Sequence, residues 1–278
     1  MVEITAALVK ELRQETGAGM MDCKKALEEA GGDKEKAIMI LRQRGVAIAG
    51  RKASRTAREG LVGSLISEDG RVGVLVEVNC ETDFVARNES FRALLDHLLR
   101  AVMESGPGWE DKARELVVSK IAEIGENVVF RRHMRYELQG TGLIASYIHL
   151  GGKIGVLVEV GCRRSEIAGS DAFRAVVKDI TLQVAAGNPP YLRREDVPPE
   201  VLQQEKALYA EQAGKKPAHI VEKIVSGKLE KFYSQVCLLE QAYVRDPALS
   251  LQDWLAAQAG QLGDELLVRR FTRFQVGV

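Results

Sequence analysis

The residue types that carry most enzyme chemistry occur in this chain, but they are not spaced for catalysis. The four histidines lie far apart, and the four cysteines form no C-x-x-C pair of the kind that holds zinc. The sequence contains no H-E-x-x-H, no G-x-S-x-G and no phosphate-binding G-x-x-x-x-G-K-[ST] motif. It therefore predicts a protein that acts by binding, without catalytic residues, metal ligands or a cofactor.

The strongest candidate for a binding site is the segment Thr82-Asp83-Phe84-Val85. It follows a predicted strand that ends at Asn79-Cys80 and precedes a predicted helix, a position where chains usually run along the surface. Phe84 has two explanations there. It is either a core residue folded beneath its own hairpin, or an exposed anchor that fills a partner's pocket while the carboxylate of Asp83 pairs with a donor.

An internal repeat bears on this choice. Residues 60–93 recur without a gap as residues 142–175, and the two copies are identical at 16 of the 34 aligned positions. Where the first copy has Thr-Asp-Phe-Val, the second has Arg164-Ser165-Glu166-Ile167. A core Phe is replaced by another apolar residue more easily than by Glu, because burial of a carboxylate is costly. The repeat therefore favours an exposed Phe84 that serves one copy only.

Hydrophobic periodicity predicts that each copy is a β-hairpin followed by a helix, with Phe91 and Phe173 at matching core positions. Residues 199–213 and 218–236 predict an antiparallel helical hairpin, whose mixed charge suits a projecting arm. The other predicted elements are strands at 60–66 and 72–78 joined at Asp69-Gly70, a helix at 89–103, a strand at 128–138, a second hairpin turning at Gly151-Gly152, a helix at 171–185 and a strand in the tail at 271–278.

The N-terminal region is expected to form three short helices that share one core. Thr5 is the expected N-cap of the first, Asp22 of the second and Asp33 of the third, which is expected to end near Arg44. The fold class is α+β. The predicted domains are a three-helix domain at 1–50, a basic linker at 51–59, a first α+β module at 60–140, a second at 141–194 and 237–278, and the helical hairpin inserted at 195–236.

Charge and composition constrain the partners. Lys plus Arg and Asp plus Glu number 39 each, so no net charge favours nucleic acid or a membrane surface. No apolar run approaches the roughly 20 residues that span a bilayer, and the N-terminus has no targeting pattern. Because the cysteines are expected to be reduced and buried, we expect a soluble cytoplasmic protein. Two alternatives stay open: an RNA-binding protein that uses the basic linker with Arg131, Arg132 and Arg135, and a module whose N-terminal domain captures ubiquitin-like or nascent-chain partners.

Several long motifs resemble the bacterial elongation factor Ts family, and together they cover nearly the whole chain. They are the runs at residues 8–13, 16–27, 78–86, 124–127 and 147–158. The resemblance implies an N-terminal domain similar to ubiquitin-associated (UBA) domains, two duplicated α+β modules and a coiled-coil arm. Many relatives continue with a further helix after the strand that matches residues 274–278, so the contacts of that helix are not expected here.

The resemblance also implies a function. Family members are guanine-nucleotide exchange factors, which bind elongation factor Tu and expel its GDP so that GTP can enter, without enzyme chemistry of their own. By this resemblance, Phe84 would insert beside the partner's nucleotide and magnesium site. Neither nucleic acid nor a membrane is expected as a partner, and a homodimer or a dimer of heterodimers stays open. The implied contacts with elongation factor Tu are Thr82, Asp83, Phe84, Val85, Lys10, Arg13, Met20, Met21 and, in the second module, His149.

Overall fold

The computed structural model describes residues 4–278, which contain eleven α-helices and eight β-strands. All sheets are antiparallel, so the predicted α+β class is confirmed. The helices are α1 (Ala6–Thr16), α2 (Met20–Glu29), α3 (Lys34–Lys52), α4 (Asp83–Ala86), α5 (Glu89–Glu104), α6 (Trp109–Ile124), α7 (Ser165–Ala168), α8 (Asp171–Gly187), α9 (Pro199–Ala213), α10 (Ala218–Val236) and α11 (Leu251–Leu262). The strands are β1 (Glu59–Ile66), β2 (Val72–Cys80), β3 (Val129–Glu137), β4 (Gly142–His149), β5 (Ile154–Gly161), β6 (Ala242–Tyr243), β7 (Asp246–Ser250) and β8 (Leu267–Gln275).

Helices α1, α2 and α3 enclose a small core that includes the buried Leu12 and Leu27. Thr5 and Asp33 accept hydrogen bonds from the first turns of α1 and α3, as the sequence predicts. The prediction for Asp22 is wrong. Helix α2 begins earlier, after Gly19, and Asp22 lies in its first turn, where a negative charge still interacts favourably with the helix dipole. The similarity of this unit to UBA domains stays a prediction.

The predicted end of the third helix near Arg44 is also wrong, because α3 continues to Lys52. Its second half is rich in small residues and packs against α6. A Cβ added at Gly45 would lie 3.5 Å from Cγ1 of Val118 in α6. Only residues 53–58 separate α3 from β1, so the N-terminal helices are joined to the first module mainly by a packed helix.

Each module is a three-stranded antiparallel sheet with a helix packed on it. The strand order is β1-β2-β3 in the first module and β4-β5-β8 in the second. Helices α5 and α8 bury Phe91 and Phe173 completely, which confirms both as core residues. The duplication extends to the third strand, because β3 and β8 both pair with a register shift just after Glu77 and Glu159 respectively. The sequence repeat did not include these strands.

The modules differ in what precedes the third strand. The first has α6 there, whereas the second has α9, α10, the two short strands β6 and β7, and α11. The predicted helices of the hairpin, at 199–213 and 218–236, are confirmed. The tail strand was placed too late, because β8 begins at Leu267, and β6, β7 and α11 were missed. None of the helices in the described part of the chain is long and apolar enough to cross a membrane.

The two modules pack sheet against sheet through reciprocal contacts. The hydroxyls of Ser64 and Ser146, which are equivalent in the repeat, lie 2.9 Å apart. Gly73, in β2, lies in this interface: an added Cβ would be 2.5 Å from Cγ2 of Ile144 in the other module. At its counterpart Gly155, an added Cβ would lie 2.3 Å from Cγ1 of Val62 in the other module. Both positions require glycine because no Cβ fits between the sheets.

A buried glutamate in each module adds charge to this interface. Glu77 accepts from Nε of Arg132 at 2.7 Å, and Glu159 accepts from Nε of Arg270 at 2.7 Å. Each arginine also crosses to the other module: Nη2 of Arg132 donates to the carbonyl of Gln275 at 3.1 Å, and Nη2 of Arg270 donates to that of Glu137 at 2.8 Å. These contacts fix how the modules are oriented relative to each other.

Candidate functional site

The segment singled out from the sequence forms α4, a single helical turn on the surface of the first module. The Phe84 side chain is 80% exposed, the largest exposed fraction among the large apolar side chains of residues 4–278 that are exposed. The sequence alone left open a core position for this ring, and the structure excludes it. Large apolar side chains of this kind are the residues that anchor protein interfaces.

The turn is exposed on one side because its other side is anchored. Thr82 is the N-cap, and its hydroxyl accepts from the N–H of Val85 at 3.4 Å. Val85 packs against the core of the first module, and Ala86 is buried. A helical turn that buries these two residues directs Phe84, which precedes them, towards solvent. The exposed ring is therefore held by a backbone that has little freedom to move.

Asp83 lies beside this ring with an accessible carboxylate. It pairs with Arg87, four residues later, at 2.9 Å, and both side chains are substantially exposed. An exposed pair of this kind contributes about 0.2–1 kcal/mol to stability. A donor on a partner protein can therefore replace Arg87 at little cost.

The turn is also fixed from a distant part of the sequence. The N–H groups of Glu81 and Thr82 donate to Oε2 of Glu126 at 3.1 and 3.0 Å, and the Thr82 hydroxyl donates to Oε1 at 2.7 Å. Of the four predicted contact residues, Thr82 and Val85 thus use their side chains inside the module, whereas Asp83 and Phe84 face solvent. Sequence analysis did not single out Glu126, although the motif at residues 124–127 contains it.

The predicted contacts in the N-terminal helices are exposed as well. Lys10 and Arg13 lie on the surface of α1. Met20 and Met21, at the start of α2, are 44% and 61% exposed. Paired exposed methionines suit a protein interface, because the flexible thioether adapts to the surface that it meets.

The N-terminal helices lie close to the element that follows the Phe84 turn. A Cβ added at Gly17, just before α2, would be 3.3 Å from Oε2 of Glu123 in α6. Glu123 in turn accepts a hydrogen bond from the hydroxyl of Ser90, at the start of α5. The fold therefore brings the beginning of α2 and the beginning of α5 to the same end of α6.

His149 belongs to the second module and is exposed at the end of β4. Its Nδ1 lies 2.9 Å from the hydroxyl of Tyr147. The next residue, Leu150, was missed from the sequence; it is 66% exposed and has a left-handed backbone with φ of 50°. A left-handed leucine is strained and is uncommon outside functional turns. The sequence signal that could have identified this turn is the pair of glycines, Gly151 and Gly152, that follows Leu150.

The arginines of the RNA-binding alternative are largely engaged inside the protein. Arg132 pairs with the buried Glu77, and Nε of Arg135 donates to the carbonyl of Met103 at 3.2 Å. Of the three, only Arg131 is exposed. The guanidinium groups of Arg132 and Arg135 are therefore engaged within the protein and not free for an RNA backbone.

Groups for other chemistry are not assembled at the turn. Within residues 4–278, no cluster of three or more His, Cys, Asp or Glu residues is arranged to hold a metal ion. Cys80 lies beside the turn but is buried, and burial raises the pKa of its thiol to about 12. Burial likewise raises the pKa of Cys237 to about 11. Both thiols are therefore protonated and unreactive at neutral pH.

Comparison with known proteins identifies relatives over nearly the whole chain. The family described as "Elongation factor TS" matches residues 81–278. An elongation factor Ts from Trichlorobacter lovleyi is 44% identical over 289 aligned positions, covering 99% of this chain and 93% of the relative. The corresponding protein from Symbiobacterium thermophilum is 45% identical, covering 100% of this chain and 93% of its own. An elongation factor Ts from Nitratidesulfovibrio vulgaris is 44% identical, covering 99% of this chain and 96% of the relative.

Proposed function

The chain belongs to the elongation factor Ts family, which functions in translation elongation, and we propose that it is a guanine-nucleotide exchange factor for elongation factor Tu in the cytoplasm. The observation that carries this proposal is the exposed Phe84 ring on an anchored turn. In this role the protein makes and breaks no covalent bond. It changes the free energy with which its partner holds GDP.

Phe84 supplies the main part of that change by inserting beside the partner's nucleotide and magnesium site. Burial of a phenylalanine side chain contributes about 1.5–3 kcal/mol. If the pocket for the ring is open only when the magnesium site is disturbed, this free energy favours the disturbed state. The corresponding acceleration of GDP release is about 10- to 150-fold, because each 1.4 kcal/mol is a factor of ten.

Asp83 has a supporting role. Its carboxylate exchanges Arg87 for a donor on elongation factor Tu, so the contact costs little desolvation beyond that of the exposed pair. Its main effect is to select the orientation in which the neighbouring ring enters.

Contacts elsewhere supply affinity more than exchange. We assign Lys10, Arg13, Met20 and Met21 to contacts with the nucleotide-binding domain of the partner, and His149 to a more distant domain. Interactions that are equally strong with the GDP-bound and nucleotide-free partner tighten the complex without changing the exchange equilibrium. Loss of these residues should therefore raise the concentration required for exchange more than it lowers the maximal rate.

Linkage constrains this mechanism. If binding of the protein weakens GDP binding by some factor, GDP must weaken binding of the protein by the same factor. The same applies to magnesium, if its site is disturbed. The exchange factor has no need to prefer GTP over GDP, because the excess of GTP in the cell sets the direction.

The test is release of a fluorescent GDP analogue from purified elongation factor Tu. The protein is expected to accelerate release, and Phe84→Ala to reduce the maximal rate about 10- to 150-fold. Stability to urea should be almost unchanged, within about 0.5 kcal/mol, because the ring is exposed. If Phe84→Ala binds elongation factor Tu and accelerates GDP release as the unmodified protein does, Phe84 has no part in the mechanism.

The second module provides the matched control. Glu166 occupies the position equivalent to Phe84, on the turn α7, and is also exposed. Glu166→Ala is expected to change the release rate less than twofold. It is a better control than Ile167→Ala, because Ile167 packs against the core of the second module and its truncation would leave a cavity.

A further inference from the structure

The segment between α6 and β3 contacts both the Phe84 turn and the end of the N-terminal helices, the two parts of the proposed binding surface. Glu126 accepts the three hydrogen bonds from Glu81 and Thr82 that fix the Phe84 turn. Its neighbour Asn127 donates from its backbone N–H to Oε1 of Glu81 at 2.6 Å, and from Nδ2 to the carbonyl of Arg55 at 2.7 Å. Arg55 lies just after α3. Side chains from this short segment thus join the N-terminal helices to the turn.

A further bond ends on the same segment. Nζ of Lys52, the last residue of α3, donates to the carbonyl of Gly125. Gly125 ends α6 in a left-handed conformation, so its carbonyl is one that the helix itself leaves without a partner. Residues 125–127 therefore hold the end of α3 on one side and the Phe84 turn on the other.

The bonds to Glu126 all end on one side-chain carboxylate. A hydrogen bond to a carboxylate is generally stronger than one between neutral groups. Two of the three donors are backbone N–H groups, so the contact fixes the chain itself and not only a side chain. The peptide groups concerned come immediately before Asp83 and Phe84. Loss of the carboxylate would free the N-terminal end of α4, while Val85 and Ala86 remain docked.

From these contacts we infer that Glu126 is a positioning residue for nucleotide exchange. It does not touch the partner; it holds the Phe84 ring at a fixed place relative to the N-terminal helices, so that both surfaces meet one partner together. This inference rests on the proposed exchange function. A ring on a mobile turn must be ordered at each encounter, and that entropy is subtracted from the free energy available for displacing GDP.

The second module contains the same device without the aromatic ring. Asp264 lies three residues before β8, as Glu126 lies three before β3. It accepts from the backbone N–H of Arg163 at 3.2 Å and of Arg164 at 2.9 Å, and the bond from Arg164 is the main reason that the pKa of Asp264 is lowered. A carboxylate that fixes the turn is thus shared by both modules, whereas the exposed Phe84 is not.

This equivalence gives the experiment its control. Glu126→Ala is expected to lower the maximal rate of fluorescent GDP release from elongation factor Tu about tenfold. Asp264→Ala removes the same kind of contact from the other module and is expected to leave that rate within about twofold. Urea unfolding of both variants measures any loss of stability that they share.

Conservative variants guard against a general folding defect. Glu126→Gln is expected to retain most of the rate, because its amide oxygen still accepts from both N–H groups and its amide nitrogen can donate to the Thr82 hydroxyl. Glu126→Asp keeps the charge but is one methylene too short to reach all three donors, and is expected to lower the rate about threefold. Should Glu126→Ala not fold, this second variant carries the test.

A double variant shows whether Glu126 acts through the ring. If it does, the double variant Phe84→Ala with Glu126→Ala gives the same rate of GDP release from elongation factor Tu as Phe84→Ala alone. The inference would be overturned if the two substitutions lowered the rate of GDP release additively in the double variant. It would also be overturned if neither Glu126→Ala nor Glu126→Asp changed that rate, or if Asp264→Ala lowered it as much as Glu126→Ala does. An unmodified protein that fails to accelerate GDP release would instead overturn the proposed function.

Discussion

The two modules of this protein share a scaffold and differ at one surface turn. Both have a three-stranded sheet, a helix with a buried Phe, a buried glutamate paired to an arginine, and a carboxylate that binds the turn. At the turn itself, the first module exposes Phe84 and the second exposes Glu166. The features that both copies keep are those that folding requires, and the exposed Phe84 of one copy is the feature that we propose a partner recognises.

The comparison also indicates how a duplicated fold can carry the proposed exchange residue at only one of its two turns. The packing of the modules is reciprocal, so their interface gives neither turn an advantage. The difference comes from the additions: α6 and the N-terminal helices lie beside the first turn, while α9, α10 and α11 belong to the second module. Only the first turn therefore lies near the N-terminal helices, which carry the proposed contacts Lys10, Arg13, Met20 and Met21.

The largest effect is expected from exchange of the turns. Replacing residues 82–85 by the sequence of residues 164–167 removes the Phe84 ring, the Asp83 carboxylate and the Thr82 hydroxyl that donates to Glu126, and should lower the maximal rate of GDP release about 100-fold. Placing the sequence of residues 82–85 at 164–167 in the same protein should not restore the rate, because the second turn lacks the neighbouring N-terminal helices. If a stopped-flow assay showed that this protein again accelerates GDP release, the ring would act equally well on the turn of either module.

A smaller effect, on stability, is expected from the buried ion pairs. Arg132→Met leaves Glu77 without a cation, whereas Arg270→Met leaves Glu159 with Nη1 of Arg269 at 3.2 Å. We expect the first to lower the free energy of unfolding by about 3 kcal/mol and the second by about 1–2 kcal/mol. Urea denaturation at pH 7 measures both. Equal losses would mean that Arg269 does not compensate.

The glycines between the sheets should behave alike in the two modules. Gly73→Ala and Gly155→Ala each place a Cβ within 2.5 Å of a side chain of the other module. We expect each to cost about 1–3 kcal/mol of unfolding free energy, because the packed sheets must separate slightly. Circular dichroism should detect unchanged secondary structure. A neutral result at either position in thermal unfolding would contradict the reciprocal packing.

The smallest difference concerns the thiols at the repeat-equivalent positions 80 and 162. Cys80 is completely buried, and burial raises the pKa of its thiol to about 12, so the thiol is protonated at pH 8. Cys162 is 8% exposed, and burial raises its pKa as well. Iodoacetamide should modify Cys162 first in the folded protein, as measured by mass spectrometry of peptides. Labelling of Cys80 first would indicate that the Phe84 turn opens.

Much of the local structure could be predicted because it depends on neighbours in the sequence. Thr5 and Asp33 cap their helices through bonds to residues three positions away. The apolar pattern located both hairpins and the helices that bury Phe91 and Phe173. Helix α11 could also have been found, because Ser250 caps it by accepting from the N–H of Asp253, a spacing visible in the sequence.

The error at the end of α3 has a tertiary cause. The amphipathic pattern fades near Arg44, but packing of Gly45 against α6 stabilises the longer helix. That contact joins residues far apart in the chain.

The sequence by itself favoured an exposed ring in the first copy of the repeat, since Glu166 at the equivalent position of the second copy is unfavourable in a shared core. It also indicated most of the helices and strands, whose patterns are local. Only the tertiary structure decided that Glu126, more than forty residues beyond Thr82, fixes the turn, and that the sheets pack through Gly73 and Gly155. Periodicity reports which face of an element is apolar, but it does not say which distant backbone a carboxylate will bind.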